Sequence, residues 1–116
     1  MKRVYVAGAY SANNVLTLLN NIRKGIRWSL KVFLRGYAPF SPWLDFQFHL
    51  LLREEEHEDL AVQDYYDYSM AFLDVCEVVF VTPGWEESKG TIAEIKRAEE
   101  LGIPVIYDIE ELPPLR

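Results

Sequence analysis

Seven residues in the last third of the chain, Ser88-Lys89-Gly90-Thr91-Ile92-Ala93-Glu94, put a carboxylate where it could act as a nucleophile. In a helix, side chains lean toward the N-terminus, so Glu94 should lie over Gly90, four positions back, where no side chain blocks it. Ile92, Ile95, Ala98 and Leu101 are expected to face the core, with Glu94 at the edge of that face. A carboxylate half withdrawn from water beside the free amides of a helix start can stay ionised and still attack an electrophilic carbon. The same spacing suits a surface glutamate paired with Arg97, and Ser88 suits a helix N-cap as well as a ligand contact.

A second loop, Gly8-Ala9-Tyr10-Ser11, follows a β-rich run from Arg3 to Ala7 and has the small residues of a turn that closes a central strand. A helix is expected from Asn13 or Asn14 to about Arg35, with Val15, Leu18, Leu19, Ile22, Ile26, Leu30 and Phe33 at helical spacing and Gly36 as its stop. Tyr37 to Ser41 reads as a short strand, broken by Pro39 and Pro42. Pro42 to His57 is too apolar for an idle linker, with Trp43, Phe46, Phe48 and three consecutive leucines, and suits a lid or a subunit contact. Leu60 to Asp74 reads as a helix, Val78 to Thr82 as a strand buried on both faces, Ser88 to Leu101 as a helix, and Gly102 to Tyr107 as the turn into a fourth strand.

Strand and helix alternate throughout, so the expected fold is α/β: three layers, a four- to five-stranded, mostly parallel sheet of Rossmann or flavodoxin type with helices on both faces, in a single domain over residues 1–116. Ligands of such sheets bind at the carboxyl ends of the strands, where the strand order reverses, and the turns after the first and third strands should both lie there.

Composition narrows the function classes. The net charge of −6 argues against binding a nucleic-acid polymer, which needs a basic face. Residues 1–44 hold seven Lys/Arg and no carboxylate, whereas residues 45–116 hold eighteen carboxylates and five Lys/Arg, an asymmetry that could hold subunits together. Arg23, Arg27, Lys31 and Arg35, spaced by four, fit a solvated helix stripe or a phosphate-attracting one. No run is long and apolar enough to span a membrane, and Met1-Lys2-Arg3 leads straight into a strand, so a cytoplasmic location is expected. Cys76 is expected to be a small buried thiol. His49 and His57 lack partners at metal-ligand spacing, and neither a metal nor a cofactor is expected.

Val4-Tyr5-Val6-Ala7-Gly8-Ala9-Tyr10-Ser11, Phe40-Ser41-Pro42, Cys76-Glu77-Val78-Val79, Gly84-Trp85-Glu86-Glu87-Ser88-Lys89-Gly90 with Glu94, and Gly102-Ile103-Pro104-Val105 together resemble the nucleoside 2-deoxyribosyltransferases and their relatives, the deoxynucleoside 5′-monophosphate N-glycosidases. The resemblance implies a retaining double displacement at the N-glycosidic bond. Glu94 would attack C1′ and expel the base, leaving a glycosyl-enzyme ester for a second base or water to resolve. It also implies that Tyr5 steadies the nucleophile and that Gly8, Ala9, Tyr10, Ser11, Ser88 and Gly90 hold the sugar or phosphate. Ser88 stands where the monophosphate N-glycosidases carry a serine on the phosphate, which favours a 5′-phosphorylated substrate.

The family's leaving-group aspartate corresponds to Ser69, so Asp67, two residues earlier, or Asp64 would have to serve through a shifted turn. Trp85, and with it Trp43, Tyr10 and Phe40, could stack on a nucleobase or equally belong to the core or a subunit contact. Members of the family often complete their sites across a subunit boundary, and a homo-oligomer is expected. The competing expectation is a non-catalytic nucleotide-binding or sensing protein on the same scaffold, prompted by Ser69.

Overall fold

The computed structural model describes residues 1–115. Four strands, β1 (Arg3–Ala7), β2 (Ala38–Phe40), β3 (Val78–Val81) and β4 (Val105–Ile106), form one sheet in the order β2-β1-β3-β4, and every pairing is parallel. Four helices connect or flank them: α1 (Val15–Leu34), α2 (Phe46–Glu54), α3 (Val62–Leu73) and α4 (Lys89–Glu100). The α/β fold and parallel sheet expected from the alternation are both present, with four strands.

Side chains of a strand alternate between faces, and here each face meets its own helices. Val4, Val6 and Phe80 pack with Val32 of α1 and with Trp43. Tyr5, Ala7, Val79 and Val81 pack on the other face with Leu73 of α3 and with Ile95 and Ala98 of α4. β1 is central, and four of its five residues are fully buried. Cys76 lies in the second cluster as the expected buried thiol, and burial pushes its pKa up to about 11, which keeps it protonated.

The helices start and stop for local reasons. The Asn14 side chain accepts from the Thr17 amide and opens α1, and Gly36, at φ 99°, takes the left-handed conformation that follows its end. α1 meets the sheet through small residues. Gly25, Ser29 and Val32 point inward, while Leu19, Ile26, Leu30 and Phe33 of its apolar series are exposed. The reason is Trp43: its indole lies where a Gly25 side chain would project, with ring atoms 2.2 Å from an added Cβ.

The stretch after β2 divides into a docked turn and a helix. Pro42–Asp45 forms a 3-10 turn with Pro42, Trp43 and Asp45 buried, while Leu44 of the turn and Phe48, Leu50 and Leu51 of α2 are exposed. α4 is also rotated from expectation. Thr91, Glu94, Ile95 and Ala98 form its buried stripe, whereas Ile92 and Leu101 are exposed.

Candidate active site

The chain leaves β1 for β2 on one side and β3 for β4 on the other, so the strand order reverses between β1 and β3. A cavity of about 900 Å³ opens there, at the carboxyl ends of the strands, within the roughly 300–1,000 Å³ range of small-molecule sites. Gly8 lets the two central strand ends meet: a Cβ on it would stand 2.1 Å from Thr82 Oγ1 and 3.1 Å from the Trp43 ring. The following turn is held from two directions. Trp43 Nε1 donates to the Ala9 carbonyl (3.0 Å), and Asn21 Nδ2 donates to the Tyr10 carbonyl (3.0 Å). Gly8, Ala9, Tyr10 and Ser11 therefore line one wall of the cavity in a fixed conformation.

Glu94 also lines the cavity, 8% exposed, and the hydroxyl of the fully buried Tyr5 donates to its Oε2. Burial pushes the Glu94 pKa up to about 7, and the bond from Tyr5 opposes that rise. Burial and then the Glu94 charge hold the Tyr5 phenol well above its ordinary 10, so it remains a donor. Its ring is fixed by stacking on Phe40 at 5.4 Å, and Phe40 in turn stacks on Phe72 at 4.4 Å. The alternative pairing of Glu94 with Arg97 is not formed, because Arg97 makes two 3.0 Å bonds to Asp74 and ties α4 to α3. Gly90 lines the cavity but does not lie under the carboxylate: a Cβ there would meet nothing within 4 Å, because Glu94 turns inward to Tyr5.

Ser88 does two things at once. Its Oγ accepts from the Thr91 amide (3.3 Å) and the Thr91 hydroxyl (2.8 Å), capping α4, and it lines the cavity beside Lys89. With both bonds accepted, the Ser88 hydroxyl proton is free to be donated to a ligand oxygen.

Of the expected residues, Asp67, Asp64, Trp85, Phe40 and Trp43 do not line the cavity. Asp67 is exposed and accepts from Gln63 Nε2 (2.7 Å) one turn back on α3, while Ser69 faces the cavity. Helical geometry separates the two: residues two apart point in different directions. Asp64 is likewise occupied, accepting from the Ala61 amide (2.8 Å) at the start of α3. Trp85 packs against the α3/α4 side of the core and lies 5.4 Å from the Tyr107 ring, outside the cavity lining. Phe40 and Trp43 are core, whereas Tyr10 lines the cavity.

The sequence reading missed Asp45, Tyr65 and His49, all of which line the cavity. Asp45 is 7% exposed and accepts from the Tyr10 hydroxyl at 2.5 Å. The Tyr65 hydroxyl is buried with no hydrogen-bond partner among the described residues. Among the described residues no group of three His, Cys, Asp or Glu side chains is placed to hold a metal ion, and no helix is long and apolar enough to cross a membrane.

Fold and site together define a parallel α/β protein with a buried, tyrosine-bound carboxylate in a cavity at the switch point of its sheet. The chain belongs to the family described as Domain of unknown function (DUF4406), whose model matches residues 41–107, a span that includes Asp45, Ser69, Ser88 and Glu94. Among solved structures it is similar to the 2-deoxyribosyltransferase from the psychrotolerant bacterium Bacillus psychrosaccharolyticus, at 17% identity and a TM-score of 0.54, over 89% of this chain and 69% of that one. That likeness is one of fold. No curated protein matches the chain.

Proposed function

We propose that this chain cleaves or transfers at the N-glycosidic bond of (deoxy)nucleosides or their 5′-monophosphates, with Glu94 as nucleophile. The observation that carries the reading is the buried Glu94 carboxylate, held by Tyr5 on the wall of the cavity. A carboxylate so placed is poorly hydrated and fixed in direction, which suits attack on an oxocarbenium-like C1′. Tyr5 orients it and stabilises its ionised form. The fold shared with a 2-deoxyribosyltransferase is in keeping with this reading.

Ser88, Lys89 and the free amides at the start of α4 offer donors and a positive charge for a 5′-phosphate, and the Gly8–Ser11 turn offers amides for the sugar. The substrate is a small molecule, not a nucleic-acid polymer, and the protein works in the cytoplasm. The exposed Leu19, Ile26, Leu30 and Phe33 of α1 favour a homo-oligomer. The second reading, a nucleotide-binding protein without turnover, is favoured by Ser69 in the cavity where the resembled enzymes place an acid.

Chromatography of the protein with a panel of deoxynucleosides and 5′-monophosphates, with and without a second free base, tests both. Free base or exchanged nucleoside made by the wild type and not by Glu94→Gln supports the enzyme. Saturable binding without release supports the second reading.

A further inference from the structure

Breaking an N-glycosidic bond expels a nitrogen base, which leaves slowly as an anion and readily once protonated. The nucleophile alone therefore does not complete the chemistry, and the acid expected from α3 faces away from the cavity. The carboxyl groups lining the cavity among the described residues are Asp45, Glu87 and Glu94. Glu87 is exposed on the loop leading into α4, on the same side as Glu94. Asp45 comes from the turn after β2, whereas Glu94 comes from α4 and is held by Tyr5 of β1, so the two carboxyl groups reach one cavity from different elements. The cavity that both border, about 900 Å³, has room for a nucleoside.

The local structure of Asp45 is unusual for its position. It sits at the N-cap of α2, where an aspartate ordinarily accepts from the helix amides, yet its side chain makes no such bond. Oδ1 instead accepts from Tyr10 at 2.5 Å, and the carboxyl borders the cavity. Trp43, two residues earlier, fixes the turn through its bond to Ala9 and its seat on Gly25. The orphaned Tyr65 hydroxyl lines the same cavity.

We infer that Asp45 is the acid that protonates the departing base, facing Glu94 across the bound nucleoside; the assignment rests on the reading of Glu94 as nucleophile. The Asp45 proton passes to a ring nitrogen or carbonyl oxygen of the base as the C1′–N bond breaks and its electron pair stays with the base. A Glu94 oxygen forms the new bond to C1′. The base leaves neutral, and the Asp45 carboxylate is stabilised by the Tyr10 hydroxyl and by the positive end of α2. Water then attacks C1′, gives its proton to Asp45 and releases Glu94 as a carboxylate. Burial raises the Asp45 carboxyl above its ordinary value, with the Tyr10 bond opposing, in keeping with a group that must hold a proton before each turnover.

The test compares leaving groups. 2′-Deoxyguanosine, or its 5′-monophosphate, needs a proton to leave; its 7-methyl counterpart carries a positive charge on the base and leaves neutral without one. Asp45→Asn is expected to slow the first substrate by about 100- to 10,000-fold and the second only a few-fold, whereas Glu94→Gln abolishes both. Equal losses on both substrates in a folded Asp45→Asn protein, verified by its thermal transition, would make Asp45 a binding residue and overturn the assignment while leaving Glu94 in place. Cleavage of neither substrate by the wild type would overturn the underlying reading and the assignment with it. Should Asp45→Asn not fold, Tyr10→Phe carries the same comparison: a selective loss on the unmethylated substrate supports the assignment, and an unselective one overturns it.

Discussion

Tyr5 and Glu94, separated by 89 positions in the chain, share a buried hydrogen bond in which the phenol donates to Oε2. Tyr5 alternates with Val4 and Val6 along β1 and so projects onto the face covered by α3 and α4, where the buried stripe of α4 brings Glu94 to it. The sheet places the donor, the helix places the acceptor, and the bond opposes the rise that burial imposes on the carboxylate's pKa.

Glu94→Gln is expected to lower turnover by more than about 1,000-fold, read as base release, with the fold intact. Stability moves the other way. The Glu94 pKa rises from an ordinary 4.5 in the unfolded chain to about 7 in the folded one, so the folded state binds more protons between those values and loses stability as pH climbs through that window. The loss amounts to about 3 kcal/mol by pH 8, and glutamine avoids it. Denaturation midpoints should show the variant more stable than wild type at pH 8 and equal to it near pH 4.

Tyr5→Phe keeps the ring that stacks on Phe40 and removes only the donor. Because that bond lowers the Glu94 pKa, the variant's carboxylate ionises at higher pH. The rising limb of kcat/KM against pH is expected to shift upward, so activity falls more at pH 6 than at pH 9. A limb that stays in place would show that Tyr5 does not govern the nucleophile.

Gly25→Ala and Gly90→Ala should part company. Helix propensity alone would stabilise each by up to about 1 kcal/mol. At Gly25 the new Cβ meets ring atoms of the buried Trp43 at 2.2 Å, so crowding wins and the variant is destabilised by about 1–3 kcal/mol. At Gly90 it meets nothing within 4 Å, and chemical denaturation should show no loss.

Ser88→Asp retains a good N-cap while placing a negative charge beside Lys89. The KM for 5′-monophosphates is expected to rise about tenfold or more, equivalent to about 1.4 kcal/mol, with free nucleosides little affected. Equal effects on both substrate classes would remove the phosphate from this end of the cavity.

Much of this architecture was legible in the residues themselves. The β-branched runs gave β1 its observed ends and placed β3 within one residue, and Asn14, Ser88 and Gly36 marked helix ends by chemistry that needs no tertiary context. The misread parts depend on contacts that periodicity does not encode. Ile92 ranks above Thr91 as a core residue by hydropathy, yet the helix turns Thr91 inward because its hydroxyl is satisfied by Ser88. Asp45 was hidden in a segment without a clean period, and its burial follows from Trp43 docking on Gly25, eighteen positions upstream. The family resemblance, counted back from Glu77, set Ser69 where an acid is expected, but it could not say that Ser69 faces the cavity while Asp67 points to water.

Trp43 also ties the durability of the scaffold to the shape of the site. One indole fills the bare backbone of α1 with its ring and grips the Ala9 carbonyl with its nitrogen, two residues from Asp45. Any loosening of α1 from the sheet must therefore slacken the turn after β1 and the carboxyl beside it together. Warming should dull the protein's selectivity among ligands before its helices melt, because the first thing to slip is the wedge that the two share.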